Sequence, residues 1–225
     1  MNLFEMTGPF SWGVARVYSV VVVPALTGIY HDLLHEYVPR ERMKRGMRIL
    51  DVGCGAGQVL RLLGRSHPEV EFTGADLSPH MVERARRAST GLANVSVKVG
   101  DAMNLPFDPG EFDIAISLAS IKHWPDMGRG VAEIFRILKP GGMALIMEVD
   151  RHASREASRN FLRLWRFTPW FVRPPLLLYF ERFVVGQGLT GEELRSLCVK
   201  AGFTKTDMER RTDFPGVIAR GFKPS

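Results

Sequence analysis

From about Met47 to Val149 the chain alternates short apolar runs with helical stripes. Met47–Val52, Val70–Ala75, Val95–Val99, Phe112–Leu118 and Met143–Val149 each read as a strand. Phe112–Leu118 is apolar nearly throughout, which predicts a strand covered on both faces. Between these runs, Val59, Leu60, Leu62 and Leu63 make a helix stripe that starts at Gln58. Ser78-Pro79 supplies an N-cap and a first-turn proline for a helix running to about Ser89, which Gly91 stops. Asp126–Leu138 predicts a further helix, closed by Lys139-Pro140-Gly141-Gly142. Strand–helix alternation of this kind predicts a doubly wound α/β fold, a mostly parallel sheet with helices on both faces.

The two ends depart from that rhythm. Residues from about Pro9 to Val38 read as helical, broken near Pro24, and predict an N-terminal helical extension. After Asp150, the stretch Arg151–Val185 is rich in aromatic residues, arginine and proline and predicts a helical lid inserted after strand five. Thr190 then caps a helix over Gly191–Ala201, with Glu193 completing a capping box and Gly202 ending it. Phe203–Glu209 and Phe214–Phe222 read as two closing strands, which brings the expected sheet to seven. The simplest organisation is one domain over 1–225: an N-terminal cap over 1–45, a core over 46–150, a lid or acceptor insertion over 151–189, and a closing helix and strands over 190–225.

Composition narrows the class. With 45% hydrophobic and 24% charged residues the chain has an ordinary globular balance, which excludes disorder throughout. The net charge of +6 raises nucleic acid or an anionic membrane surface as partners. No long Lys/Arg run stands out, however, and solvated helix faces with Arg stems covering apolar surface account for the positive residues better. Two cysteines, Cys54 and Cys198, suggest neither a disulfide framework nor a metal site, and a reducing, cytosolic compartment is the expectation. Met1–Glu5 lacks the basic start of a secretory signal. Val17–Ile29 is apolar, but Pro24 interrupts it and it is too short to span a bilayer; a helix lying on a membrane surface stays open.

The candidate chemistry begins at Asp51-Val52-Gly53-Cys54-Gly55-Ala56-Gly57, directly after the first strand and opening a helix. Glycines there permit a tight turn and close approach of a ligand, and a helix N-terminus attracts an anionic group. A dinucleotide fingerprint wants G-x-G-x-x-G; here the spacing is G-x-G-x-G, and Gln58 stands where the third glycine would fall. No Gly-Lys-Ser/Thr of a phosphate loop follows. A nucleoside whose anionic end is a carboxylate fits better. Asp76, closing the second strand, is placed to accept hydrogen bonds from ribose hydroxyls. Asp101, in Gly100-Asp101-Ala102 after the third strand, can accept from an exocyclic amine. The fourth strand leads to Ser117, Leu118 and Ala119 at the edge of the expected pocket.

In this order and spacing the set resembles the Rossmann-like class I S-adenosylmethionine-dependent methyltransferases, and among them the ubiquinone/menaquinone biosynthesis group. The resemblance rests on the glycine turn, Gly74-Ala75-Asp76-Leu77-Ser78, Gly100-Asp101-Ala102 with Leu105-Pro106-Phe107, Phe112-Asp113 and Leu138-Lys139-Pro140-Gly141-Gly142. It implies S-adenosylmethionine as cofactor, with Asp51, Gly53, Gly55 and Gly57 at the methionine moiety and Asp76 at the ribose. It places Leu77 against the adenine, Asp101 and Ala102 at its edge, and Ser117 on the floor near the sulfonium. Leu138–Gly142 would be a structural turn. Asp51, Asp76 and Asp101 also have plain readings as a turn cap, a loop residue and a turn acid.

The acceptor side is less defined. His123, in Ser120-Ile121-Lys122-His123-Trp124-Pro125-Asp126, is a candidate general base toward a phenol or enol, against packing or capping of the next helix. Asp126 reads as that helix's N-cap. Among Tyr18, Tyr30 and His31 in the first helix, Tyr30 could cover the sulfonium, or simply pack. The lid carries Phe161, Trp165, Phe167, Trp170, Phe171, Tyr179, Phe180 and Phe183 with Arg163, Arg166, Arg173 and Arg182. These suggest an apolar acceptor with an anionic group, or a lid packed on the sheet with solvated arginines. Membrane docking through Val17–Val23 and Leu176–Tyr179 stays open. The expectation is methyl transfer to a small, apolar acceptor on O, C or N; the alternatives are a membrane-associated lipid or quinone methyltransferase, a nucleic-acid methyltransferase and a non-catalytic module. Ser117-Leu118-Ala119-Ser120 replaces the Asn/Asp-Pro-Pro-aromatic motif of amine-methylating nucleic-acid enzymes, and no Pro-Cys nucleophile exists, which argues against nucleic acid. The oligomeric state is not legible.

Overall fold

The computed structural model describes residues 23–38, 43–164, 171 and 173–225. The expectations for Tyr18, for residues 9–22, and for Trp165, Arg166, Phe167 and Trp170 lie outside those residues.

The strands are β1 (Arg48–Val52), β2 (Glu71–Asp76), β3 (Val95–Val99), β4 (Phe112–Leu118), β5 (Leu138–Val149), β6 (Thr204–Arg210) and β7 (Gly216–Phe222). They form one seven-stranded sheet in the order β3-β2-β1-β4-β5-β7-β6. The first five pair in parallel, and β7 runs antiparallel to both β5 and β6. This is the mostly parallel, doubly wound, Rossmann-like sheet that the strand–helix alternation predicts. The order reverses between β1 and β4, so the carboxyl ends of those two strands flank a natural ligand crevice.

The helices are α1 (Val23–Tyr37), α2 (Gln58–Ser66), α3 (Pro79–Ala88), α4 (Met127–Ile137), α5 (Arg155–Arg163), α6 (Arg173–Phe183) and α7 (Gly191–Ala201). Consecutive strand residues serve opposite layers. Ile49, Ile114, Ile116 and Leu145 pack with Leu34 of α1, Leu60 and Leu63 of α2 and Val82 of α3. Leu50, Ala115, Ala144 and Ile146 pack with Val131 and Ile134 of α4 and Leu194 and Cys198 of α7. That two-sided burial is why β4 reads as a continuous apolar run, each large side chain contributing roughly 1.5–3 kcal/mol.

Local chemistry sets the helix ends. Ser78 Oγ accepts from the Met81 N–H with Pro79 in the first turn, and Asp126 Oδ1 accepts from the Arg129 N–H at 2.9 Å. Thr190 and Glu193 form the full capping box, and Gly202 closes α7 at φ 104°. Pro24 lies in the first described turn of α1, where its missing N–H costs little. The turn expected at Leu138–Gly142 takes a different form. Leu138 already pairs with Phe112, and pairing resumes at Met143 with Ile114, so the glycines bulge out within β5.

Two additions frame the sheet. Arg211 joins α1 to the β6–β7 hairpin, donating to Glu36 at 2.9 Å and to Glu209 at 3.1 Å, while the Tyr37 hydroxyl donates to Glu209. In the insertion, Phe161, Leu162, Leu177 and Phe180 enter the same core layer as α1–α3, with the Phe161 and Phe180 rings stacked at 5.2 Å. The aromatic load of the insertion is therefore split, since Phe171, Tyr179 and Phe183 stay exposed.

Candidate functional site

The residues picked from sequence gather at the carboxyl edge of β1–β4. The glycine turn follows β1 directly, and its three glycines differ in function. Gly53 sits at φ 77°, and a Cβ there would lie 1.9 Å from Ser120 Oγ. Gly57, at φ 76°, would bring a Cβ to 2.9 Å from Ala85 Cβ on α3. Only at Gly55, φ 53°, does an added Cβ meet nothing within 4 Å. Gly53 and Gly57 thus make room for the protein's own packing, and Gly55 alone leaves open space on its exposed side.

The turn's own amides are already engaged. The Gly53 and Cys54 N–H groups donate to Ala75 O at 2.8 and 3.1 Å, that of Gly57 to Cys54 O at 3.0 Å, and that of Gly55 to Asp76 Oδ2 at 2.9 Å. Three of these donors are satisfied by the end of β2 and the fourth within the turn itself. Donors for an anionic group lie further on, in the first turn of α2, where Gly57 as N-cap adds no side-chain hydrogen bond.

Asp51 is 3% exposed at the end of β1. Burial, and then the charge of Asp76, push its carboxyl up to about 7. Among the described residues no cation pairs with it, which makes it a carboxylate that gains from a cationic group. Asp76 ends β2, tethering Gly55 through one oxygen and the Ser78 N–H through the other at 2.9 Å. Each oxygen keeps a lone pair for a further donor. Beside it Leu77 is 66% exposed, an apolar side chain on an edge of carboxylates and glycines. Asp101 Oδ1 accepts from the Met103 N–H at 2.9 Å and so braces its own turn, with half-buried Ala102 adjoining.

Ser117 has a different place from the one expected. It is fully buried, and its hydroxyl donates to the Val52 carbonyl at 3.0 Å, pinning β4 to β1. A serine committed to that bond inside the sheet lines no open floor. Tyr30 is half-buried on α1 and packs against the core layer there.

Past β4 the backbone bends sharply. Ala119 has φ 54°, a left-handed conformation costly to a residue with a Cβ, held by its N–H donating to Met147 O at 2.8 Å. Ser120 Oγ then accepts from Trp124 Nε1 at 3.1 Å, and a 3-10 turn over Ile121–His123 presents His123 at the surface. Partial burial, followed by the Lys122 charge, holds the His123 imidazole below its usual range, so it is neutral near physiological pH.

One participant escaped the sequence reading. Glu148, fully buried at the carboxyl end of β5, accepts from the Lys122 N–H at 3.2 Å and the Val149 N–H at 2.8 Å, with Lys122 Nζ 3.8 Å away. Burial raises its carboxyl despite Lys122. It anchors the turn that carries His123. The signal was available: Glu148 is the sole charge in Met143–Val149, out of keeping with a buried strand.

The comparisons bear on the family and the fold. A family model described as a methyltransferase domain matches residues 49–142. A 2-methyl-6-phytyl-1,4-hydroquinone methyltransferase of Oryza sativa is 38% identical over 132 residues, 58% of this chain and 37% of the rice protein, so the chain spans under two-fifths of that relative's length. A demethylmenaquinone methyltransferase of Staphylococcus carnosus is 34% identical over 188 residues, 81% of this chain and 78% of its own. An S-adenosylmethionine-dependent methyltransferase structure from Aquifex aeolicus shares the fold at TM-score 0.64 and 16% identity, covering 98% of this chain and 96% of that one. By its similarity to the staphylococcal enzyme along most of both chains, this chain belongs to the class I S-adenosylmethionine-dependent methyltransferases and is similar to their quinone-methylating members.

Proposed function

We propose that this chain transfers a methyl group from S-adenosylmethionine to a reduced, ring-shaped acceptor with an apolar tail, of the hydroquinone class. The observation that carries the cofactor assignment is Asp51, a buried carboxylate with no cation among the described residues, beside open Gly55 and a second carboxylate, Asp76. Asp51 would hold the ammonium of the methionine moiety, whose charge it lacks among the described residues. Asp76 would accept from the ribose hydroxyls, Leu77 would lie against the adenine, and Asp101 with Ala102 would meet its polar edge. The residues fit the group, and the sulfonium, when bound, supplies a methyl that is already electrophilic.

The protein's remaining task is alignment, exclusion of water and removal of one proton. Neutral His123 would take the acceptor's hydroxyl proton as a ring carbon attacks the methyl carbon and the carbon–sulfur bond breaks. Loss of that carbon's own proton to water and return of the proton from His123 to the oxygen would then restore the aromatic hydroquinone, with one proton released overall. Glu148 and Lys122 would hold His123's turn in place. The choice of acceptor is supported by the names of the relatives, which act on hydroquinones and demethylmenaquinone. Two free, buried cysteines, Cys54 and Cys198, support a reducing, cytosolic compartment. No described helix is long and apolar enough to cross a membrane.

Titration calorimetry with S-adenosylmethionine tests the first step, and transfer of labelled methyl to a prenylated demethylhydroquinone in detergent tests the second. Absence of cofactor binding, or equal binding by Asp76→Ala, overturns the assignment. Binding without transfer to any hydroquinone overturns the acceptor alone.

A further inference from the structure

The charge of this chain is not evenly spread. Residues 151–188 hold seven arginines and no lysine against two glutamates and no aspartate, so about a sixth of the chain carries net +5 of its +6. The fold turns that composition into a surface. On α5, Arg155, Arg159 and Arg163 recur every fourth residue and are all exposed, while Ala157, Ser158, Phe161 and Leu162 face inward. Arg155 lies 3.5 Å from Glu181 of α6, which joins the two helices; among the described residues Arg159 and Arg163 pair with no carboxylate. On α6, Leu177 and Phe180 are buried, and the opposite face shows Leu178 at 66%, Tyr179 at 47% and Phe183 at 52% exposure, with Arg182 exposed among them. The Tyr179 and Phe183 rings touch, centroids 4.9 Å apart.

We propose that the outward face of α5 and α6 docks on an anionic lipid bilayer. Leu178, Tyr179 and Phe183 enter the headgroup layer, while Arg159, Arg163 and Arg182 meet lipid phosphates. The pairing of features selects this occupant. Exposed leucine and aromatic side chains between arginines suit an interface that is apolar on one side and phosphate-rich on the other. A nucleic-acid backbone would use the arginines and leave Leu178 and Phe183 in water. A second copy meeting this face across a two-fold axis would set arginine rows against each other. An acceptor dissolved in the bilayer would lie near the end of β5 from which α5 departs, a consequence that rests on the methyl-transfer reading; the docking itself does not.

The test is sedimentation of the full chain with vesicles of phosphatidylcholine containing about one-third phosphatidylglycerol, against pure phosphatidylcholine vesicles, at low and high salt. Binding should require the anionic lipid and weaken with salt. The double variant Arg159→Gln, Arg163→Gln should bind about thirtyfold more weakly. Leu178→Ser with Phe183→Ser should weaken binding by at least a further tenfold. All four positions are exposed, so melting temperature and S-adenosylmethionine affinity should stay unchanged, which separates failure here from failure of the methyl-transfer reading. Equal sedimentation with neutral vesicles, or none with anionic ones, overturns the proposal. So does a dimer that Leu178→Ser with Phe183→Ser dissociates, or nucleic-acid binding that only the arginine variant abolishes.

Discussion

Asp51→Asn keeps the side chain's shape and removes its charge. Moving a carboxyl from its ordinary 3.8 to about 7 penalises the ionised form in the native state by an upper limit of about 4 kcal/mol. Local relaxation and the proximity of Asp76 reduce what is recovered, and we expect roughly 2 kcal/mol. The sign follows from proton binding. Between about pH 4 and pH 7 the native state keeps a proton that the unfolded chain has released, so wild-type stability falls as pH rises through that window and then levels off. Asp51→Asn lacks the dependence. Its advantage in urea unfolding of the cofactor-free protein should therefore be small near pH 4.5 and reach about 2 kcal/mol at pH 8. Taking the difference between the two proteins at each pH cancels every other titrating group. The same variant should bind S-adenosylmethionine at least tenfold more weakly, because the ammonium loses its partner. A stability difference that does not change with pH, or a variant weaker than wild type at pH 8, would falsify the picture of an uncompensated buried carboxylate.

Three further outcomes follow from the same geometry. Gly57→Ala adds a Cβ 2.9 Å from Ala85 at φ 76°, and should cost about 2–3 kcal/mol in thermal unfolding, whereas Gly55→Ala should cost about 1 kcal/mol and act mainly on cofactor affinity. Glu148→Gln turns an amide toward one of two backbone donors, so it should lower stability by about 1–3 kcal/mol. It should reduce kcat more than cofactor affinity, and equal losses in both would argue against a role in placing His123. Arg211→Ala removes contacts with Glu36, Glu209 and Asp213, and hydrogen exchange should quicken in α1 by the equivalent of about 1 kcal/mol while β1 stays protected.

Local chemistry was legible in the residues. The capping box at Thr190 and Glu193, the Ser78-Pro79 start of α3 and the Asp126 cap all form as their side chains dictate, because each needs only neighbours within one turn. The same holds for the carboxylates at the strand ends: Asp51, Asp76 and Asp101 share one edge because parallel strands point the same way. Where the reading missed, the deciding partner was distant in sequence. Ser117 looked free to line a pocket until β4 paired with β1 and brought the Val52 carbonyl to its hydroxyl. That Gly53 and Gly57 must be glycines to clear Ser120 and Ala85 was likewise invisible until the fold brought those residues close.

What the sequence by itself determined is the set of elements, their alternation and the places of the glycines and carboxylates at the strand ends. All of these follow from periodicity, caps and spacing over a few residues. The tertiary structure alone decided which glycine stays open, which amides are already used, and that Glu148 braces the His123 turn. It also decided that α5, with its exposed arginines, and α6, with its exposed apolar side chains, pack together through Phe161 and Phe180. Those facts depend on strand order and helix packing, which bring together residues tens of positions apart, and no local pattern encodes such contacts.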